Sequence, residues 1–266
     1  MNQKQKEILE QKPSILQRSA PWLILLVVLA AVIWSALGIN IDLAKLITGF
    51  TAIKKIISLM LPPDWSYLDR TLARMVQSIH ISFLGTIIGS ILAIPVSFIA
   101  ANNILAYKFL SWFGRQTLNA IRTFPELILA VFFVASFGPG QLAGVMAIGI
   151  HSTGMLGKLY TDIIEDIDPG PIKAVQASGA NKLEVLWYAV VPQVLPEFLA
   201  TSIYRFEINM RASTVLGLVG AGGIGVILNQ ALNYRKWSVV GMALLVVIIG
   251  VSIIDYSSAY IRNKIV

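Results

Sequence analysis

The chain has 266 residues, of which 56% are apolar and only 13% are charged. An average globular domain carries about 25% charged residues, so this composition indicates an integral membrane protein and excludes disordered chains and most soluble enzymes. The absence of cysteine from the sequence excludes disulfide scaffolds, thiolate zinc sites and cysteine nucleophiles. The net charge is +7, but the Lys and Arg residues lie scattered between apolar runs. That placement is typical of the flanks of membrane spans, so we expect contacts with lipid and none with nucleic acid.

Six apolar runs are candidates for membrane-spanning helices, which need about 20 residues to cross the hydrocarbon core. The second run contains Pro95 and is expected to be kinked there. The third is short and opens at Glu126, where a carboxylate stabilises the start of a helix. We therefore predict an all-α membrane protein with about six spans, at residues 22–37, 76–101, 125–137, 141–164, 194–218 and 239–260.

The Lys and Arg residues between these runs predict the orientation of the chain. They are more numerous in the segments that become cytoplasmic when the N-terminus lies inside, so we expect both termini in the cytoplasm. Residues 1–20 then form a cytoplasmic tail, and 21–39 form a first span that is retained rather than cleaved as a signal peptide. The rest is an outer segment at 40–70 and a transmembrane domain at 71–266 with a cytoplasmic loop at 166–192.

The outer segment contains apolar positions at helical spacing between residues 41 and 61, with Lys45 and Lys55 away from that stripe. This pattern predicts an amphipathic helix. The helix lies either at the membrane surface or against the transmembrane bundle, and both arrangements fit the sequence.

A glycine-rich motif follows the fifth run. Residues 220–225 read Gly-Ala-Gly-Gly-Ile-Gly and match the G-x-G-x-x-G pattern of dinucleotide-binding loops. A dinucleotide site also needs a βαβ unit and an acidic residue about 20 positions further on, whereas residues 242–249 are all apolar. We therefore predict a break between helices at which glycines allow close backbone approach, formed by Gly220, Gly222, Gly223 and Gly225.

Two further polar features have structural interpretations. Asp162, Glu165, Asp166 and Asp168 lack the spacing of a calcium-binding loop and stand before a Pro-Gly-Pro sequence, so we expect a solvated helix end and no metal site. His151 lies in the middle of the fourth run. It could relay protons or contact a transported solute, but an interhelical hydrogen bond is the commoner role.

Four polar residues interrupt the fifth run near its middle: Arg205, Glu207, Asn209 and Arg211. An unpaired charge inside a membrane is costly, so each charge needs a partner or an aqueous cavity. Glu207 and Arg211 stand four residues apart with the acid first, the favourable order for a pair within one helix. Arg205 has no such partner, and its forked guanidinium suits an oxyanion. These residues therefore form either the lining of an anion path or a buried hydrogen-bond network between helices or subunits.

The predicted cytoplasmic segment 171–196 has an Ala-rich start, a glycine and a second apolar stretch, which predict two short helices joined at a glycine turn. Here the chain resembles the permease subunits of ATP-binding-cassette (ABC) importers, whose signature is Glu-Ala-Ala, three residues, Gly, nine residues and Ile-x-Leu-Pro. Ala174, Gly179 and Pro192 match that spacing, and Lys173 stands at the acidic position. In the family this loop is the coupling helix, which docks into a groove of the ATPase. The resemblance gives that role to Lys173, Ala174, Ala177, Gly179, Ala180 and Pro192.

Three more stretches, at residues 122–130, 151–160 and 207–225, are similar to phosphonate importer permeases, and the similarity runs from about residue 71 to the end of the chain. It implies a type I ABC importer permease (MetI-like) fold in the bacterial inner membrane. The implied cargo is phosphonate or a related phosphorus oxyanion (phosphite, hypophosphite or phosphate), moved by alternating access. The implied partners are a second copy of the chain, two cytoplasmic ABC ATPase subunits and an extracytoplasmic substrate-binding protein.

The sequence contains no G-x-x-x-x-G-K-[ST] motif. We therefore expect no catalytic residue and no cofactor in this chain, with ATP and Mg²⁺ bound by the partner ATPase. The candidates for the substrate pathway are Arg205, Glu207, Asn209, Arg211 and His151, and the four glycines at 220–225 are candidates for a gate. The alternatives are an ABC permease for another small solute and an ATPase-independent transporter or channel, for which no inverted repeat is evident. An intramembrane enzyme is a poorer match, since only two histidines and no metal cluster are present in the sequence.

Overall fold

The computed structural model describes residues 15–39, 43–104 and 107–265. Every regular element within these residues is a helix or a helical turn, which confirms the all-α class. The chain divides into two compact units, Met1–Ile56 and Ile57–Val266, and each is described by itself.

The first unit contains helix α1, Ile15–Gly38, and most of helix α2, Leu43–Met60. The stretch Pro21–Gly38 has a mean hydropathy of 2.3 and buries no residue inside the protein. An apolar helix with so little protein contact is suited to lipid, in agreement with the first predicted span. The helix predicted between residues 41 and 61 is present as α2, and its position at a membrane surface stays a prediction.

The second unit is a bundle of helices joined by short turns. A 3-10 turn precedes α3, a π turn joins α8 to α9, and a second 3-10 turn follows α9. In chain order the elements are the turn Trp65–Tyr67, α3 Leu68–Ala100, α4 Lys108–Thr123, α5 Glu126–Phe137, α6 Gln141–Glu165, α7 Pro169–Ala177, α8 Lys182–Val185, the π turn Leu186–Val190, α9 Val191–Leu216, the turn Gly217–Val219, α10 Gly225–Asn233 and α11 Trp237–Ile265.

The number of spans agrees with the prediction of about six when the bent pair α4 and α5 counts as one span. Among the described residues, five helices are long and apolar enough to cross a membrane, and a sixth span exists only if α4 and α5, bent by 79°, count as one. The third predicted span, 125–137, corresponds to α5, whose 12 residues reach about 18 Å, whereas the hydrocarbon core is about 30 Å thick. α5 is thus too short to cross by itself, and the third run counts as a span only together with α4. In the second predicted span, α3 continues through Pro95 to Ala100.

The centre of the second unit is the contact between α3 and α6. Small residues let the two backbones come together: a Cβ added to Gly89 would lie only 2.7 Å from Cβ of Ser152. Close approach of this kind is how membrane helices gain packing energy without a hydrophobic driving force. It also brings the polar side chain of Ser152 to the middle of the bundle, where it is fully buried.

A charged contact joins the far ends of α3 and α6 to α4. Arg115 on α4 donates from Nε to the carbonyl of Ala100 at 3.1 Å and from Nη2 to Oε1 of Glu165 at 2.5 Å. The same carboxylate oxygen accepts from the backbone N–H of Asn102 at 2.7 Å. Arg115 thus satisfies a free carbonyl at the end of α3 and fixes the position from which the chain enters α7.

Candidate functional site

A buried polar cluster joins α3, α6 and α9. Asn209 on α9 is fully buried, and its Nδ2 donates to Oγ1 of Thr86 at 2.8 Å and to Oγ of Ser152 at 2.9 Å. Ser82, one turn before Thr86, donates from Oγ to the carbonyl of Asn209 at 3.1 Å. Oδ1 of Asn209 accepts no hydrogen bond from the described residues. Since three helices contribute to the cluster, sliding one past another would break at least one of these bonds.

Arg205 lies one helical turn before Asn209 and is only 5% exposed. Its Nε donates to Oγ of Ser152 at 3.2 Å, and its Nη2 lies 3.9 Å from Oε2 of Glu126, the first residue of α5. Nη2 makes no hydrogen bond with any residue that the structure describes. Buried charges are usually fully hydrogen-bonded, and Arg205 is an exception. Its Nη2 can therefore still donate to another group. Glu126 could not be recognised as its partner from the sequence, because the two residues lie on different helices.

His151 precedes Ser152 on α6 and is half-buried. Its Nδ1 lies 3.1 Å from the carbonyl oxygen of Phe124, between α4 and α5. The interhelical hydrogen bond expected for this histidine is therefore present. His151 is thereby held close to Arg205 and to Glu126, the first residue of α5.

The predicted pair of Glu207 with Arg211 inside one helix was wrong. Oε1 of Glu207 accepts from Nη1 of Arg262 at 3.1 Å, and Nη2 of Arg211 donates to Oδ2 of Asp255 at 2.8 Å. Both partners lie on α11. Residues 205 and 209 therefore point toward α3 and α6, whereas residues 207 and 211 point toward α11. The four polar residues form two separate groups.

The glycine-rich motif forms a loop between α9 and α10. Gly220, Gly222 and Gly223 have positive φ angles of 89°, 86° and 74°, which glycine adopts at little cost. The carbonyl of Gly220 accepts from the backbone N–H of Gly140 at 2.9 Å, so this loop is joined to the start of α6. A Cβ added to Gly225 would overlap the backbone of α9. The predicted break between helices is confirmed, and neither flank of the motif is a strand.

The predicted coupling segment consists of two short helices that meet at Gly179, as expected. Asp168 caps α7 by accepting from the N–H of Gly170 at 2.8 Å, and Asn181 caps α8 in a reciprocal capping box with Glu184. Gly179 has a φ of +88°, the left-handed conformation that ends many helices. α8 then runs through the π turn into α9, so the second short helix is continuous with a membrane helix.

The surface of this segment is unusually open. α7 buries no residue, and a cavity of about 410 Å³ lies beside its end. Exposed apolar side chains lie nearby on α8 and the π turn: Leu183, Trp187 and Tyr188. Five of the six predicted coupling residues are exposed, and Ala180 is half-buried. Pro192 is the exposed residue in the first turn of α9, and the other four are on α7 or in the turn after it: Lys173, Ala174, Ala177 and Gly179.

Gln193 links the coupling segment to α9, and sequence reasoning missed it. Its Oε1 accepts from the backbone N–H of Asp168 at 3.0 Å, and its Nε2 donates to the carbonyl of Ala189 at 2.7 Å. The start of α7 is thereby joined to the helix that carries Arg205. Arg205 lies 12 residues further along α9, about 18 Å at 1.5 Å per residue.

The acidic stretch that ends α6 has structural partners. Asp162 pairs with Lys158 and Glu165 with Arg115, while Asp168 caps α7. Within the described residues, no group of three His, Cys, Asp or Glu side chains could hold a metal ion.

Comparison with known proteins adds sequence relatives to this geometry. The phosphite transport system permease protein PtxC of Stutzerimonas stutzeri is 39% identical over 223 residues, which cover 84% of this chain and 81% of that protein. The putative phosphite transport system permease protein HtxC of the same organism is 34% identical over 269 residues, covering 100% of this chain and 95% of that protein. The phosphate-import permease protein PhnE of Mycolicibacterium smegmatis is 39% identical over 208 residues, 78% of this chain but 39% of that protein.

A solved structure of the MetNI methionine ABC transporter in an inward-facing conformation has the same fold. It aligns with a TM-score of 0.68 at 20% identity, covering 76% of this chain and 99% of the matched chain. The helical bundle with its open segment at α7 is therefore a MetI-type ABC permease fold.

The fold and the buried polar cluster thus define an inner-membrane permease with several membrane-spanning helices. Residues 85–266 match the family described as binding-protein-dependent transport system inner membrane component, and the chain belongs to that family. It is a permease subunit and not an enzyme, because ATP hydrolysis in such systems is performed by partner ATPases. A separate substrate-binding protein is the other partner that this family implies.

Proposed function

We propose that this chain is the permease of an ATP-driven importer for phosphonate or a related phosphorus oxyanion. The observation that carries the proposal is Arg205, a buried guanidinium with an unused donor at Nη2 and a loose ion pair with Glu126. A phosphorus oxyanion presents several oxygens that can accept from such a fork. The relatives named for phosphite and phosphate support the same class of cargo.

In this proposal the two groups of polar residues on α9 have different roles. Arg205, Asn209 and His151 lie along the substrate pathway, where weak and replaceable contacts allow an anion to enter and leave. Glu207 and Arg211 hold α9 to α11, so that the pathway is bordered by a fixed pair of helices. The glycine loop at 220–225 joins α9 to the start of α6 and forms the gate at the end away from α7.

The exposed segment around α7 is the proposed docking site for the ATPase. Its apolar side chains and the cavity next to Gly179 provide a surface that another protein can cover. Gln193 then transmits movement of α7 to α9, since its side chain bonds to Asp168 and its backbone belongs to α9. Closing and opening of the ATPase would reorient α9 and alternate the access of the pathway.

The proposed assembly contains two copies of this permease, two cytoplasmic ATPase subunits and one extracytoplasmic substrate-binding protein. The coupling segment must face the ATPase, so α7 and both termini lie in the cytoplasm. The distribution of Lys and Arg supports the same orientation.

Uptake by the reconstituted importer tests the cargo. Proteoliposomes with permease, ATPase and substrate-binding protein should accumulate phosphite or methylphosphonate only when ATP is present. Arg205→Gln should lower the initial rate at least about tenfold, because a charge-assisted hydrogen bond contributes about 1.5–3 kcal/mol. Lys158→Gln is a control that removes a charge from a partly exposed i,i+4 pair on α6, and it should leave the rate unchanged. Equal uptake by wild type and Arg205→Gln would exclude this residue from the pathway, and uptake without ATP would exclude the importer mechanism.

Copurification of the ATPase tests the docking site. Gly179→Arg should abolish copurification and ATP-driven uptake while the permease stays folded and membrane-inserted. Gly138→Arg is a matched control, because Gly138 also has a positive φ, of 85°, and open space at its Cβ position. The backbone strain of about 1–2 kcal/mol is therefore common to both variants. Normal ATPase binding by Gly179→Arg, or equal loss in both variants, would contradict the assignment.

A further inference from the structure

A basic pocket lies between the start of α3 and the turn that joins α10 to α11. Its volume is about 480 Å³, and its walls carry the three cations Arg70, Arg74 and Lys236. Ala231 and Val239, both buried, also line it. The volume is within the range of about 300–1,000 Å³ that small-molecule sites occupy.

The cations of this pocket are not held in ion pairs among the described residues. None of the three cations forms an ion pair with any residue in the described ranges 15–39, 43–104 and 107–265. Arg70 stands over the ring of Tyr67 at 5.7 Å, and Arg74 donates to Oε1 of Gln77 at 2.8 Å. Each guanidinium therefore keeps further donors for a ligand.

The arrangement of the donors selects a ligand with several acceptor oxygens. Arg70 and Arg74 are four residues apart on α3, so their Cβ atoms lie about 5–6 Å apart on one face. Lys236 approaches from the α10–α11 turn, and Gln230 and Tyr234 add neutral hydrogen-bonding groups. A tetrahedral oxyanion presents acceptor oxygens in several directions and can accept from two guanidinium groups and an ammonium together.

The pocket is separate from the pathway around Arg205. Thr86, which contacts Asn209, lies 12 residues beyond Arg74 along α3, about 18 Å at 1.5 Å per residue. α3 has 33 residues and runs about 50 Å from the pocket to the end that faces Glu165 and α7. The pocket is thus at the end of the bundle opposite the coupling segment, with Trp65 and Tyr234 exposed near it. Exposed aromatic residues of this kind mark the headgroup level of a bilayer.

We infer that this pocket is a second anion site, which binds a phosphorus oxyanion through Arg70, Arg74 and Lys236. Two sources carry that chemistry: the phosphate group of an anionic phospholipid, and the free anion before it enters the pathway. The second source depends on the function proposed above and the first does not.

Direct binding to the purified full-length permease distinguishes the two sources. One arm measures phosphatidylglycerol retained against phosphatidylcholine by native mass spectrometry, and the other measures inorganic phosphite by equilibrium dialysis. Arg74→Gln and Lys236→Gln should each lower the affinity for one of these ligands at least about tenfold, since each substitution removes a charge-assisted hydrogen bond. Arg235→Gln removes the same charge from the adjacent residue, which does not line the pocket, and should bind as wild type does.

The variant series gives a clear decision. Selective loss of phosphatidylglycerol identifies a lipid site, and selective loss of phosphite identifies a site for the cargo. Wild type that binds neither ligand, or equal losses in Arg74→Gln and Arg235→Gln, would overturn the inference. The assay uses neither ATP nor uptake, so such a result would leave the proposed transport function intact. Size-exclusion chromatography confirms that each variant remains folded.

Discussion

The contact between Glu207 and Arg262 tests how α9 is held in the bundle. The two side chains are 3.1 Å apart and are 8% and 32% exposed, respectively. We expect a double-mutant cycle of Glu207→Gln and Arg262→Gln to give a coupling free energy of about 1.5 kcal/mol. This is the lower end of the range of about 1.5–3 kcal/mol for hydrogen bonds to charged groups, since the partly exposed guanidinium is screened by solvent.

The coupling is obtained from the free energy of unfolding, measured by reversible titration of the purified protein from mild detergent into sodium dodecyl sulfate. A second cycle, Glu207→Gln with Arg211→Gln, is the matched comparison, because these residues occupy the i,i+4 positions of one helix. Such pairs contribute at most about 0.5 kcal/mol. A coupling in the second cycle as large as in the first would refute the assignment of Glu207 to α11, and so would a first cycle without measurable coupling.

Three further predictions concern a close helix contact, a hydrogen bond and the docking surface. Gly225→Ala should lower the free energy of unfolding by about 1–3 kcal/mol, since its Cβ would overlap α9. Gly49→Ala, with open space in the middle of α2, should leave it unchanged or raise it by up to about 1 kcal/mol, and equal destabilisation by both would contradict the packing. Tyr160→Phe removes the 2.5 Å hydrogen bond to Ser202 and should cost about 1 kcal/mol in the same titration, so an unchanged midpoint would contradict a contribution of this partly buried bond. Trp187→Ala should change the stability of the permease by less than about 0.5 kcal/mol, because the side chain is 66% exposed. It should nevertheless weaken copurification of the ATPase, and undiminished binding would speak against the docking surface.

Much of the fold could be predicted because apolar runs and local turn chemistry are encoded within short stretches of sequence. The apolar stretches of α1 and α11 follow from high hydropathy, and the turn at Gly179 follows from a glycine between two helix-forming segments. The third span could not be predicted in the same way. The apolar run covers only α5, and the preceding α4 is amphipathic, so hydropathy does not indicate that the two helices form one pair across a bend of 79°.

The buried site was only partly predictable. The charges of α9 are visible in the sequence, and so is their need for partners in an apolar setting. Their choice of partners is a tertiary effect: Arg205 reaches Glu126 on α5, and Glu207 reaches Arg262 on α11. Asp255, an acid within the apolar run of α11, could have been recognised in the sequence as a partner for a basic residue of α9. The basic pocket gave no signal of its own, because Arg74 and Lys236 are far apart in the chain.

The pairing of α9 with α11 also constrains the biosynthesis of the protein. Glu126, the partner of Arg205, is synthesised before α9. The partners of Glu207 and Arg211 on α11 are synthesised 55 and 44 residues after them, respectively. A charge at the centre of a membrane helix costs about 2.5–3.5 kcal/mol at the translocon. Before α11 is made, Glu207 and Arg211 have only each other, at the i,i+4 spacing of one helix, as a charged partner within α9. The native ion pairs of α9 thus form only once α11 is present, although Arg205 on the same helix has its partner earlier in the chain.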